Sequence, residues 1–178
     1  MHIIIYLLLG IIGLIGILLI IALFSRKNYG VQEEITIQLP SNDVFDYLKH
    51  LTNQEQFSKW VMTDPAMKKT LTGVDGTIGF IYAWDSQNKQ AGAGEQEIIG
   101  LEPSKFIDVE VRFLRPFKGI AKTPFTIQAL NENETRVIWG MSSKMAYPMN
   151  IMLLFKIENI LAKDLKESLN NLKVILEK

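Results

Sequence analysis

The chain opens on a run in which apolar positions have no period at all. Ile3 to Phe24 (IIIYLLLGIIGLIGILLIIALF) carries no charge. As a helix rising about 1.5 Å per residue it spans roughly 33 Å, enough for a bilayer core. A cleaved secretory signal is the competing reading, and it calls for a basic start, a shorter apolar stretch and a small-residue cleavage site. Met1 and His2 supply no fixed side-chain charge, the run is long, and Ala22-Leu23-Phe24-Ser25 makes a poor site. The expectation is an uncleaved anchor over residues 1–27 and a folded domain over residues 28–178. Arg26 and Lys27 follow the run directly and no Lys or Arg precedes it. The positive-inside rule then makes this a single-pass membrane protein with its domain on the cytoplasmic side. Gly10, Gly13 and Gly16 lie near one stripe that could admit the helix of a membrane-protein partner. Their spacing is not GxxxG, and glycine is common in membrane helices.

After the anchor the period changes to two. Val31, Ile35, Ile37 and Leu39 stand among polar residues and predict a first strand over 31–39. Pro40 stops it. Ser41 or Asn42 is the expected cap of a helix whose apolar positions Val44, Phe45, Leu48 and Leu51 recur at helical spacing. A second short helix is expected around 53–60. Six strands follow, near 68–72, 77–84, 91–101, 106–114, 120–130 and 134–145, separated by turn chemistry such as Gly73-Val74-Asp75-Gly76 and Glu102-Pro103-Ser104. Ile107, Val109, Val111 and Phe113 share one face, against Asp108, Glu110 and Arg112 on the other; Val137, Trp139 and Met141 alternate in the same way. That is an antiparallel sheet covered on one side. Pro148 opens a long helix predicted over 148–176, with Leu153, Ile157, Ile160, Leu161, Leu165, Leu169, Leu172 and Leu176 at three- and four-residue intervals. A curved antiparallel sheet of about six to seven strands around that helix buries both apolar faces, giving an α+β, helix-grip class.

Composition narrows the function. Lys+Arg and Asp+Glu both total 19, so no overall field draws the chain to nucleic acid. Without cysteine there is no disulfide framework, thiolate nucleophile or zinc-thiolate site.

The order of elements and the residues that fill it resemble the START/polyketide-cyclase (SRPBCC) superfamily over residues 31–178. The residues that carry the likeness are Pro40 after the opening strand, then Val44-Phe45-Asp46-Tyr47 and Trp60. To these are added Gly92-x-Gly94-Glu95, Val137-x-Trp139-Gly140 and Met145-x-Tyr147-Pro148-Met149. The resemblance implies a cavity between the sheet and the C-terminal helix for a hydrophobic small molecule or lipid. It implies no particular reaction: some members are cyclases or hydrolases, and others bind or regulate.

Candidate chemistry is sparse. His50 is the only histidine of the domain and falls at the end of a helix, so neither a catalytic histidine nor a metal cluster is expected. Glu95 with Glu97, and Asp108 with Glu110, share strand parity and could form an acid/base pair. They lie opposite the apolar face beside Arg112, where cross-strand charge pairing is the simpler account. Gly92 and Gly94 precede no helix, so they suit a bend in the sheet rather than a phosphate loop. Parity and clustering instead suggest an adaptable apolar lining. Its expected members are Trp60, Phe80, Tyr82, Trp84, Gln96, Phe113, Phe125, Trp139, Met141, Tyr147, Met149, Met152 and Phe155, with Tyr82, Gln96 and Tyr147 as orienting polar groups. No cofactor is indicated. The preferred reading is membrane-tethered binding of a hydrophobic molecule; the alternatives are a cyclase- or hydrolase-like enzyme and an interaction module in the membrane.

Overall fold

The computed structural model describes residues 2–178, His2 through its backbone only. Helix α1 (His2–Phe24) exposes its apolar side chains along nearly its whole length, and Ala22, near its end, is buried. Its Ile3–Phe24 stretch is long and apolar enough to cross a membrane. Strand β1 (Asn28–Ile37) begins at once, leaving residues 25–27 as the whole connection.

The first domain helix, α2 (Ser41–Leu48), buries Val44, Phe45 and Leu48 on one face. It starts from Pro40 with no side-chain cap, because the Asn42 side chain accepts a hydrogen bond from Ser104 instead. The expected Ser41 or Asn42 cap is therefore not made. A 3₁₀ turn (Leu51–Asn53) and the short α3 (Gln54–Phe57) follow. Asp75 pins this corner by accepting hydrogen bonds from the Leu51 N–H (2.8 Å) and the Thr52 hydroxyl (2.6 Å).

The sheet comprises β1, β2 (Lys68–Thr72), β3 (Ile81–Asp85), β4 (Ala93–Glu102), β5 (Phe106–Arg115), β6 (Gly119–Lys122), β7 (Phe125–Asn131) and β8 (Glu134–Lys144). Its pairings are antiparallel, in the order β1-β8-β6-β5-β4-β3-β2, and β7 also bridges β5 and β8. Two sequence expectations are corrected here. The strand expected over 77–84 begins only at Ile81, since Gly76 and Gly79 sit at positive φ and turn the chain before it. The strand expected over 120–130 is two, broken at Thr123-Pro124, where proline brings no N–H to the ladder. Gly94 permits the curvature expected of it: a register shift falls between Ala93 and Gly94, and a Cβ on Gly94 would lie 2.7 Å from the Trp84 ring.

The helix predicted over 148–176 is also two pieces, a 3₁₀ segment (Met149–Phe155) and α4 (Ile157–Leu176). Lys156 separates them in the left-handed conformation at φ 53°. The physical reason lies in the first piece, which is apolar on nearly every side except at Asn150 and packs towards α1 rather than along the sheet. Asn150 and Leu153 are its buried residues. From Ile157 onwards the helix is amphipathic, burying Leu165, Leu169 and Leu172 against the sheet, while Ile160 falls off the stripe and is exposed. Each buried leucine stabilises the fold by about 1.5–3 kcal/mol relative to an exposed one.

Candidate ligand cavity

A cavity of about 230 Å³ lies between the concave face of the sheet and the start of α4. Each strand contributes residues two apart: Tyr82 and Trp84 from β3, Val111 and Phe113 from β5, Trp139 and Met141 from β8, with Gln96 from β4. Apart from Trp139, which sits mid-strand opposite Phe125, these lie towards the end of the sheet nearest α1, where β5 ends at Arg115 and β8 at Lys144. The far half is filled by Ile98, Ile107, Val109, Phe125 and Val137, all with no exposure. Leu161 of α4 closes one side, and Gln54, Ser58, Trp60, Val61 and Thr63 close another.

That last wall is strapped to α4. The Lys59 N–H donates to Ser168 Oγ (2.9 Å), its ammonium pairs with Asp164 and Glu167, and Trp60 Nε1 donates to Asp164 at 3.3 Å. The hydrogen bonds to Glu167 and then Asp164 hold the Lys59 ammonium above its usual pKa. Trp139 forms an aromatic hub: Phe125 stacks on it at 4.6 Å, and Phe57 and Trp60 meet it edge-on at 5.8 and 5.7 Å. Trp84 and Phe113 form a second edge-on pair at 6.3 Å, and Trp84 Nε1 donates to the Ala91 carbonyl.

Polar groups on this wall are few. The Tyr82 hydroxyl donates to Glu55 Oε1 at 3.0 Å. Burial first, then that hydrogen bond, pushes its pKa well above the ordinary tyrosine value, so the hydroxyl stays protonated. Two buried polar atoms of lining residues, Ser58 Oγ and Trp139 Nε1, have no hydrogen-bond partner. Such atoms cost about 1–3 kcal/mol each when left unpaired.

Of the residues expected from sequence, Trp60, Tyr82, Trp84, Gln96, Phe113, Trp139 and Met141 are brought together on this cavity. Phe80 and Phe125 belong to the solid core; Phe80 shares the inward face of Tyr82 and Trp84 but does not line the cavity, and Phe125 sits on β7 behind Trp139. Tyr147, Met149, Met152 and Phe155 do not line it, because residues 149–155 form a 3₁₀ segment that meets α1 and do not continue α4. Gln54 on α3, Val61 and Thr63 on a 3₁₀ turn (Val61–Thr63), and Ser58, Met67, Gln90 and Ala91 in loops were not anticipated, and neither was Thr123 at the strand break. Loops carry no hydrophobic period from which to read them, although Leu161 was legible from the helical stripe.

His50 stands at the surface, 3.7 Å from Asp75, remote from the cavity. Arg112 gathers Glu95, Glu97 and Glu110 at 2.6–2.8 Å on the outer face, so these acids are charge partners and not an acid/base pair. Among the described residues no cluster of His, Cys, Asp and Glu could hold a metal ion.

No protein-family model and no curated protein matches the sequence. Solved structures do match. Norcoclaurine synthase from Thalictrum flavum, in complex with dopamine and hydroxybenzaldehyde, is 12% identical, with 89% of this chain and 92% of that one covered at a TM-score of 0.62. An uncharacterized protein from Rhizobium leguminosarum is 15% identical, covers 85% and 95%, and has a TM-score of 0.57. A protein from Mesorhizobium loti is 15% identical, covers 84% and 97%, and has a TM-score of 0.59. The fold is the helix-grip fold. At these identities the likeness speaks for the architecture alone. Within the helix-grip, the space between sheet and C-terminal helix is the place where this chain keeps its cavity.

Proposed function

We propose that this chain binds a hydrophobic small molecule, or a single lipid chain, in the helix-grip cavity while tethered to a membrane by α1. The carrying observation is the cavity itself, closed by aromatic and aliphatic side chains towards the end of the domain nearest the apolar helix. Its 230 Å³ equals about eight water volumes at about 30 Å³ each, which suits a compact molecule better than a whole diacyl lipid. Tyr82, Gln96 and the unpartnered Ser58 and Trp139 atoms offer it a few polar contacts. Norcoclaurine synthase, with its dopamine and hydroxybenzaldehyde, is a structural neighbour that holds small aromatic molecules. The anchor would keep the pocket beside a bilayer, where apolar molecules concentrate, and Arg26 and Lys27 would set the domain on the cytoplasmic side.

An enzyme of the cyclase or hydrolase kind is the second reading. The lining carries Tyr82 as its one titratable side chain, and that hydroxyl is held protonated against Glu55. Acid–base chemistry in the cavity would have to run through it.

The test is titration of the full chain in mild detergent with an apolar fluorescent probe such as anilinonaphthalene. Saturable binding is expected, and Val111→Phe, which fills the wall at a cost of about 1–3 kcal/mol, should weaken it at least several-fold. Probe binding that is absent, or identical in the two proteins, would contradict the assignment.

A further inference from the structure

The domain is not loosely hung from α1. Asn150, fully buried, donates its amide to the Ala22 carbonyl (2.6 Å), which also accepts from the Ser25 N–H, and to the Ser25 carbonyl (3.2 Å) at the helix end. Arg26 pairs with Glu158 at 2.6 Å, and the Met145 N–H donates to the Lys27 carbonyl at 2.9 Å. The β5–β6 hairpin reaches the same end: Ser143 pairs with both Tyr29 and Ala121, and its hydroxyl donates to the Ile120 carbonyl. Three segments therefore meet at the root of α1, residues 24–30, 114–122 and 142–157.

Their surface differs from the rest of the molecule in two ways. Phe117 is 63% exposed and Phe155 78%, with Ile120, Tyr147 and Leu154 also in the open. The three segments contain seven Lys or Arg (Arg26, Lys27, Arg115, Lys118, Lys122, Lys144, Lys156) and no Asp or Glu. The whole chain holds 19 of each sign, so the remainder has 12 basic residues against 19 acidic ones. Glu158, one residue beyond, pairs with Arg26 and Asp85 pairs with Arg115, so the excess positive charge at the end where α1 leaves the domain comes from Lys27, Lys118, Lys122, Lys144 and Lys156.

We propose that this end is a membrane-docking face that lies on an anionic phospholipid leaflet. It rests on the reading that α1 spans that bilayer. The exposed aromatic and aliphatic side chains of the 3₁₀ segment and the hairpin enter the boundary between headgroups and acyl chains. The surrounding lysines engage the phosphates, and the acidic remainder of the domain is turned away. The residue 25–27 connection is too short to hold this face clear of the headgroups, and the Asn150 clasp fixes its angle to α1. A protein partner would have to displace lipid from a surface that α1 already brings to the leaflet.

The chain has no cysteine, so single-site labels are directly accessible. The full chain would carry a fluorophore at Phe117→Cys, Phe155→Cys, Asn133→Cys in the distal β7–β8 turn, or Leu14→Cys within α1. Each variant is reconstituted in phosphatidylcholine/phosphatidylglycerol vesicles containing nitroxide-labelled acyl chains. Labels at 117 and 155 should be quenched several-fold more than the label at 133, and less so in phosphatidylcholine alone. Quenching at 14 with none at 117 and 155 overturns the docking face while leaving the anchor intact, and identifies the face as open to another protein. Equal quenching in the two lipid mixtures overturns the part assigned to the lysines. No quenching at 14 removes the anchor reading and this proposal with it.

Discussion

Tyr82 shows how a single side chain on the cavity wall links packing to pH. Burial, and then its hydrogen bond to Glu55, raise its pKa above the ordinary tyrosine value near 10. As pH rises, the unfolded chain therefore loses this proton before the folded one does. The stability due to Tyr82 is complete below about pH 10 and declines above it. Tyr82→Phe should cost about 0.5–1.5 kcal/mol near neutral pH through the lost hydrogen bond. It should also flatten the alkaline decline, as seen in chemical unfolding midpoints of the two proteins at about pH 8 and about pH 11. Tyr47, also raised by burial, leaves some slope in both. A variant with an unchanged alkaline slope would contradict the assignment. At this scale the sequence was informative wherever strand parity holds: Tyr82, Trp84, Phe113, Trp139 and Met141 all follow from alternation. Phe80 and Phe125 did not, because parity says which face a residue takes and not whether that stretch of face is solid core or open cavity.

The separate elements divide in the same manner. The amphipathic stripe of α4 was legible from Leu161 to Leu172, since a helix packed on a sheet needs one apolar face. Residues 149–155 were misplaced because a segment apolar on nearly every side has no face to read. Its true neighbour is α1, and the pairing depends on one polar side chain, Asn150, that no period reveals. Asn150→Ala should leave the cavity, which Asn150 does not line, unchanged, and lower the unfolding midpoint modestly, since the Ala22 carbonyl that loses this donor is buried. It should loosen the angle between anchor and domain, broadening electron-spin distance distributions between labels at Leu14→Cys and Val174→Cys. An equally narrow distribution in the variant would show that Arg26–Glu158 and the backbone suffice.

In the whole molecule three things come together towards one end: an apolar helix, a basic and apolar rim, and the cavity. The helix-grip architecture was legible because each element is locally consistent with it, from the Pro40 stop to the α4 stripe. The ligand was not, since a wall of Trp, Met and Val sets size and polarity without naming a molecule. The central claim is that the cavity is occupied, and native mass spectrometry of the full chain released from detergent micelles, followed by solvent extraction, measures that directly. One small apolar molecule per chain is expected, retained by the wild type and lost from Val111→Phe. A wild-type chain that carries nothing, when expressed in cells and released intact, would contradict it.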